Sequence, residues 1–208
     1  MNYLYIKRLI DVAITLAGLV VLFPLMVIIG LLIRISDGGT AIYSQTRIGK
    51  NRRPFKIYKF RTMIEDADEI LFRNKDLYDQ ARSGAHKIEN DPRVTTLGRF
   101  LRKYSLDELP QFFNVLTGEM SFVGPRAYRP DELQRYENEN PGDQTFLNAL
   151  LSVKPGITGL WQVNGRSTVS FDERVRMEAL YSQKISLMVD LLIILKTPLA
   201  VIKAKGAS

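Results

Sequence analysis

The chain contains no cysteine and only one histidine, His86, among its 208 residues. Without cysteine there are no disulfides, no thiolate metal sites and no cysteine nucleophile, and a reducing compartment fits. A lone histidine leaves little room for a histidine-built metal site or a Ser-His-Asp triad; His86 itself reads as a plain loop residue. Any chemistry must therefore rest on carboxylates, Lys, Arg, Tyr or hydroxyls. Negative charge is also short: 29 Lys and Arg face 22 Asp and Glu, for a net charge of +7. That excess points to an anionic partner, whether nucleic acid, phospholipid headgroup or phosphorylated substrate. Internal repeats and low-complexity tracts are absent. The length suits one domain with accessories and a real core.

Only one strong hydrophobic run is present, where a polytopic enzyme would need several. "VAITLAGLVVLFPLMVIIGLLI", from Val12 to Ile33, has no charge across about 22 residues, enough to cross a bilayer. It is too long for a signal peptide, and no small-residue cleavage site follows it. Pro24 sits near its middle, where a missing N–H favours a kink. Cations flank both ends: Lys7 and Arg8 before, then Arg34, Arg47, Lys50, Arg52 and Arg53 after. A spanning helix should carry such charge on one side only. Two readings stay open, a kinked span and a hairpin that bends at Pro24 and leaves by the face it entered. Each hairpin arm would reach about 15–18 Å, near mid-bilayer. Asp11, at the edge of the run, needs a cation such as Lys7, Arg8 or Arg34.

Downstream, "AIYSQTRIG" and "PFKIYKFRTM" read as short strands joined by the loop "GKNRRP". Ile64 to Tyr78 has roughly helical apolar spacing. "RVTTLGRFLRKY" places Leu97, Phe100, Leu101 and Tyr104 on one face. "RPDELQRYENENPGD" reads as a charged helix with a Pro-Gly stop. "KPGITGLWQVNGRS" reads as loop plus a short strand, and Ser170-x-x-Glu173 is a capping box opening a helix. The apolar C-terminal stretch from Ile185 is interrupted by Asp190, Lys196 and Pro198, so it is expected to lie on a membrane surface. The expected fold class is α+β, mostly helical with a small sheet, carrying an N-terminal re-entrant membrane helix-break-helix and interfacial amphipathic helices. The division is a membrane hairpin over 1–36 and a catalytic domain over 37–208 that includes the C-terminal interfacial helix.

The adjacent carboxylates Asp107 and Glu108 in "KYSLDELPQFF" admit two readings. Ser105-x-x-Glu108 fits a capping box, with the carboxylates stabilised by the helix dipole. Alternatively, one carboxylate faces a reacting phosphorus and the other a metal, since neighbours on a helix point about 100° apart. Arg99, Arg102 and Lys103 precede the pair and "SFVGPR" follows it. An oxygen-only site suits Mg²⁺, and an ionised Asp among cations is a competent nucleophile.

In this order, "YIKRLIDV", "FKIYKFRTM", "LGRFLRKYSLDELPQFFNVLTGEMSFVGPR" and "KPGITGLWQVNGRS" resemble the bacterial sugar transferase family, the monotopic polyprenol-phosphate phosphoglycosyl transferases, over nearly the whole chain. The resemblance implies transfer of a sugar 1-phosphate from a UDP-sugar to undecaprenyl phosphate, releasing UMP and initiating surface glycan synthesis. It implies Asp107 as the nucleophile of a covalent phospho-aspartate, and Glu108, with Asp107, as the Mg²⁺ site. It places Arg102 near the phosphates. It also implies the re-entrant hairpin broken at Pro24, anchored through Lys7, Arg8 and Asp11, at the cytoplasmic face of the bacterial inner membrane. Lys59, Arg61, Arg126, Lys154 and Arg166 are the further candidates for diphosphate or uridine contacts. Trp161 reads as packing. Partners expected are the UDP-sugar, undecaprenyl phosphate and membrane lipids, with no nucleic acid. The larger relatives, which carry an extra N-terminal membrane domain, suggest a homodimer and tilt the donor toward galactose or glucose. An inactive scaffold and an anionic-ligand binding module remain the alternatives.

Overall fold

The computed structural model describes residues 3–82, 88, 91–165 and 169–203. His86 and Arg166 lie outside the described residues. The expected α+β class holds: among the described residues helices dominate, with two small two-stranded sheets.

Helix α1 runs from Tyr3 to Asp37 with Pro24 inside it. At 35 residues and about 1.5 Å per residue it exceeds a bilayer's hydrocarbon core. It is one helical element through Pro24, so the structure does not show the reversal expected there. Its outward face is apolar, unlike that of a soluble helix. Lys7, Asp11, Thr15, Met26, Ile29 and Ile33 are buried against the domain, while Val20, Val21, Phe23, Ile28, Leu31 and Ile35 are exposed. Water does not favour that face; hydrocarbon does.

Strands β1 (Ile42–Ile48) and β2 (Pro54–Phe60) form an antiparallel hairpin, pairing Ile42 with Phe60 and Ile48 with Pro54. Asn51 and Arg52 take left-handed backbone in its loop. The helix expected over Ile64–Tyr78 is two, α2 (Ala67–Arg73) and α3 (Lys75–Arg82), broken at Asn74. The Asn74 side chain accepts from the Leu77 N–H, so it restarts the chain as a new helix. Helix α4 (Thr96–Lys103) is capped by Thr95, which accepts from the Gly98 N–H. Then come a single 3-10 turn (Leu106–Glu108), α5 (Gln111–Thr117), β3 (Ser121–Val123), α6 (Pro130–Glu139) and α7 (Gln144–Leu151). Strand β4 (Gly156–Thr158), α8 (Leu160–Asn164), α9 (Phe171–Gln183) and α10 (Leu187–Lys203) follow. The Ser170–Glu173 capping box opens α9 as expected.

The parallel pair β3–β4 brings "SFVGPR" beside "PGITGLWQ", aligning Ser121 with Gly156 and Val123 with Thr158. This approach needs glycine. A Cβ on Gly156 would stand 2.0 Å from the Gly124 nitrogen, and one on Gly124 would stand 2.5 Å from the Lys154 carbonyl oxygen. Helix α10 repeats the apolar outward face of α1: Asp190 and Ile193 are buried, while Met188, Leu195, Leu199 and Ile202 are exposed. The two helices are joined through Asp190, which accepts from Lys7 Nζ at 2.6 Å and the Tyr3 hydroxyl at 2.6 Å.

Candidate active site

Asp107 does not cap a helix. Ser105 follows directly on the C-terminus of α4 and takes a left-handed conformation, φ 54°, with no side-chain cap bond. An N-cap needs extended backbone, so the Ser105–Glu108 pattern fails as a capping box. The chain instead makes the 3-10 turn. Leu106 and Leu109, on either side of the carboxylates, pack against Met26, Ile29, Ile33, Phe60 and Leu101. The turn is thereby seated on the apolar half of α1, and Asp107 is left only 7% exposed.

Strand β2 supplies the cation. Lys59 Nζ donates to Glu108 Oε1 at 2.6 Å and lies 3.8 Å from Asp107 Oδ2. Burial pushes the Asp107 carboxyl up to about 6; Lys59 and Arg102 oppose that rise and the Glu108 charge adds to it. Burial also works against the Glu108 carboxylate, but Lys59, Arg126 and Arg47 outweigh it and hold that group below the ordinary glutamate range. The adjacent acids are thus pushed apart: Glu108 is a fixed anion, and Asp107 is an ionisable, poorly solvated one. Arg102 reaches the same region from α4, donating from Nε to Thr62 Oγ1 at 2.9 Å. Gly98 permits that seat, because a Cβ there would lie 2.0 Å from the Thr62 carbonyl oxygen.

A cleft opens beside the pair, lined by Arg47, Lys59, Glu108, Gln111, Arg126 and Gln162 among others. Of the expected contact residues, Lys59 and Arg126 line it. Arg61 is buried against Gly39, and Lys154 lies with Arg8 beside Gly118; neither lines the cleft. Arg8 donates to the Val115 and Leu116 carbonyls at the end of α5. Asp11 accepts from Ser121 Oγ at 2.6 Å and the Phe122 N–H at 3.1 Å, tying α1 to β3.

Several site residues escaped sequence reading. Arg47 counted only as a flanking charge, yet it is buried, donates to the Ala127 carbonyl and faces Glu132 at 3.5 Å. Burial, with Arg126 nearby, lowers its pKa to about 10. Arg174 and Glu178 are four apart in a charged helix, the spacing of a solvated surface pair; both are buried. Gln162, inside the "GLWQV" motif, carried a signal in its company of glycines.

The oxygen-only pair Asp107–Glu108 fits Mg²⁺, which commonly takes one or two carboxylates plus substrate phosphate. Among the described residues no cluster of three or more such ligands exists, so substrate oxygens would complete the shell.

Residues 2–204 match the bacterial sugar transferase family, and the chain belongs to it. It is 45% identical over 205 residues to the exopolysaccharide production protein ExoY of Rhizobium meliloti, covering 97% of this chain and 87% of that one. It is 40% identical over 206 residues to the undecaprenyl-phosphate galactose phosphotransferase of Salmonella typhimurium, covering 98% of this chain and 42% of the relative. The galactosyl transferase CpsE of Streptococcus agalactiae is 42% identical over 209 residues, covering 99% of this chain and 44% of the relative. The chain spans most of the first relative and less than half of the other two.

Proposed function

We propose that the protein transfers a sugar 1-phosphate from a UDP-sugar to undecaprenyl phosphate, giving undecaprenyl-diphosphate-sugar and UMP, and so initiates exopolysaccharide or surface glycan synthesis. One observation carries this reading. Asp107 is a nearly buried carboxylate, beside a cation-held glutamate, on a turn resting on an apolar helix. A nucleophile placed there can meet one soluble substrate and one held in lipid.

Asp107 Oδ attacks the sugar-bearing phosphorus. An Oδ–P bond forms, the bridging P–O bond breaks, and UMP leaves with that electron pair. A phosphate oxygen of the lipid then attacks the phospho-aspartate, and the Oδ–P bond breaks to restore the carboxylate. Low solvation keeps the Asp107 anion reactive, while Lys59 and Arg102 oppose the cost of ionising it. Lys59, Arg102 and Arg126 supply positive charge where a diphosphate collects negative charge. Asp107 and Glu108 would hold Mg²⁺, which offsets repulsion between carboxylate and diphosphate. The apolar outward faces of α1 and α10 support a membrane seat for both. Pro24, with Arg8 before the apolar run and Arg34, Lys50, Arg52 and Arg53 after it, supports re-entry at the cytoplasmic face. The names of the Salmonella and Streptococcus relatives make UDP-galactose the first donor to test, with UDP-glucose next.

The test is UMP release from a panel of UDP-sugars, with undecaprenyl phosphate and Mg²⁺, by wild type and Asp107→Asn. Sugar-dependent release that the variant loses supports the reading. Equal rates in both remove Asp107 as nucleophile. No release by folded wild type favours the scaffold or binding-module alternatives.

A further inference from the structure

Behind the cleft wall formed by Arg126 and Gln162 stands a cationic stack, of which the transfer steps use only Arg126. Arg174 Cζ stands 4.1 Å from the centre of the Trp161 ring and Arg126 Cζ stands 5.7 Å from it. Arg174 and Trp161 are both buried, at 7% and 8% exposure. Neither guanidinium has a side-chain hydrogen bond or ion pair among the described residues, and both buried Nε atoms lack a partner. The Trp161 indole N–H is a third buried donor without an acceptor, and Gln162 Oε1 is a buried acceptor without a donor.

Nearby carboxylates do not account for this charge. Glu178 is fully buried and accepts from the Arg126 backbone N–H at 2.6 Å and from the Tyr128 hydroxyl. Glu132 is engaged by Arg47 and Arg129. Burial, with Arg126 nearby, lowers the Arg174 pKa, although Tyr128, Glu178 and Glu132 pull it back. Buried cations and donors left this way are unfavourable unless an anion completes them. Arg126 also lines the cleft with Glu108 and acts on its charge. Arg126 therefore links the stack to the cleft that Glu108 lines.

We infer that Arg126, Arg174 and the Trp161 N–H form the subsite for the phosphate of the leaving nucleoside monophosphate, with Gln162 accepting from the nucleoside and Glu178 positioning Arg126. This rests on the proposed donor chemistry. Cleavage at the sugar-bearing phosphorus leaves charge growing on the next phosphate along, and a guanidinium fork matches two of its oxygens. The covered Trp161 ring is a platform for the arginines, so base stacking on it is not part of the site. Glu178 acts through the backbone of Arg126 and touches no substrate.

Trp161 is the chain's single tryptophan, so its fluorescence reports this site alone. The full-length protein in nanodiscs is titrated with UMP, with uridine, and with a short-chain polyprenyl phosphate. UMP is expected to give a saturable change, and uridine one at least tenfold weaker. Arg174→Gln is expected to weaken UMP binding at least tenfold, with Arg174→Lys recovering part of it. Glu178→Gln is expected to raise KM for the UDP-sugar several-fold with kcat within about twofold; a purely structural role would lower the active fraction and leave KM unchanged. Equal UMP affinity in wild type and in both Arg174 variants overturns the subsite, while UMP release by wild type would leave the transferase reading standing. A response to the polyprenyl phosphate without one to UMP overturns the assignment in favour of the acceptor. No response to UMP overturns it too, and absence of UMP release in the same preparation removes the donor reading with it.

Discussion

Two sets of buried carboxylates can be set side by side, one in the helix crossing and one in the turn that carries the proposed nucleophile. At the crossing, Asp190 receives Lys7, Tyr3 and Tyr181, the last at 2.7 Å. Asp11 receives Ser121 and the Phe122 N–H, with Lys7 at 3.7 Å. Each carboxylate has strong donors on both oxygens. In the turn, Asp107 is buried too, yet its near cation stands 3.8 Å away and gives the closer bond to Glu108. Satisfied acids hold elements together; an under-satisfied one is kept reactive at a cost to stability. The difference separates an anchor from a proposed catalyst in one small fold.

Substitution should break the two sites in opposite ways. The largest effect expected is on turnover: Asp107→Asn should lower UMP release by roughly 10³-fold or more, because no other nucleophile replaces it. Its thermal stability should not fall. Asp190→Ala should do the reverse. It leaves Lys7 buried without its closest partner, so unfolding should become easier by about 3–5 kcal/mol, read by chemical denaturation in detergent, with turnover per folded molecule nearly kept. Next, Lys59→Met should cost about 10²-fold in rate, since it strips the cation from both carboxylates while leaving the crossing intact. Gly156→Ala should destabilise the β3–β4 junction by about 1–3 kcal/mol through overpacking, because the Gly124 backbone cannot withdraw.

The smallest effect concerns pH. The folded Asp107 carboxyl holds its proton to about 6, against an ordinary value of 3.8. Between those values the folded state binds more protons than the unfolded state, so wild-type stability should fall as pH rises through this window. The drop should be about 1–3 kcal/mol at about 1.4 kcal/mol per pKa unit. Melts in chelator should show it, and Asp107→Asn should lack it.

The contrast also marks what the sequence could reveal. Ser105-x-x-Glu108 and Ser170-x-x-Glu173 share one pattern with opposite outcomes. Ser170 has extended backbone and caps α9, whereas Ser105 sits at the end of α4 and turns left-handed. Local pattern does not record what precedes it. The β1–β2 hairpin was legible because β-branched and aromatic residues cluster around a turn. Asp107, Glu108, Lys59 and Arg126 were legible because each lies in a dense motif. Arg47, Arg174 and Glu178 were not, since only the packing of β1 and α9 around Tyr128 and Trp161 turns ordinary surface-type charges inward. The partnership of Lys7 with Asp190 spans 183 positions, and no local reading reaches that far.

The central claim is that Asp107 takes the sugar phosphate onto itself. The direct measurement is intact-mass analysis of the protein incubated with UDP-galactose and Mg²⁺ but no lipid acceptor, followed by peptide mapping. Added mass equal to one hexose phosphate is expected on the peptide containing Asp107, with one UMP released per adduct and neither in Asp107→Asn. UMP formed only when undecaprenyl phosphate is present, with unmodified protein throughout, would contradict it.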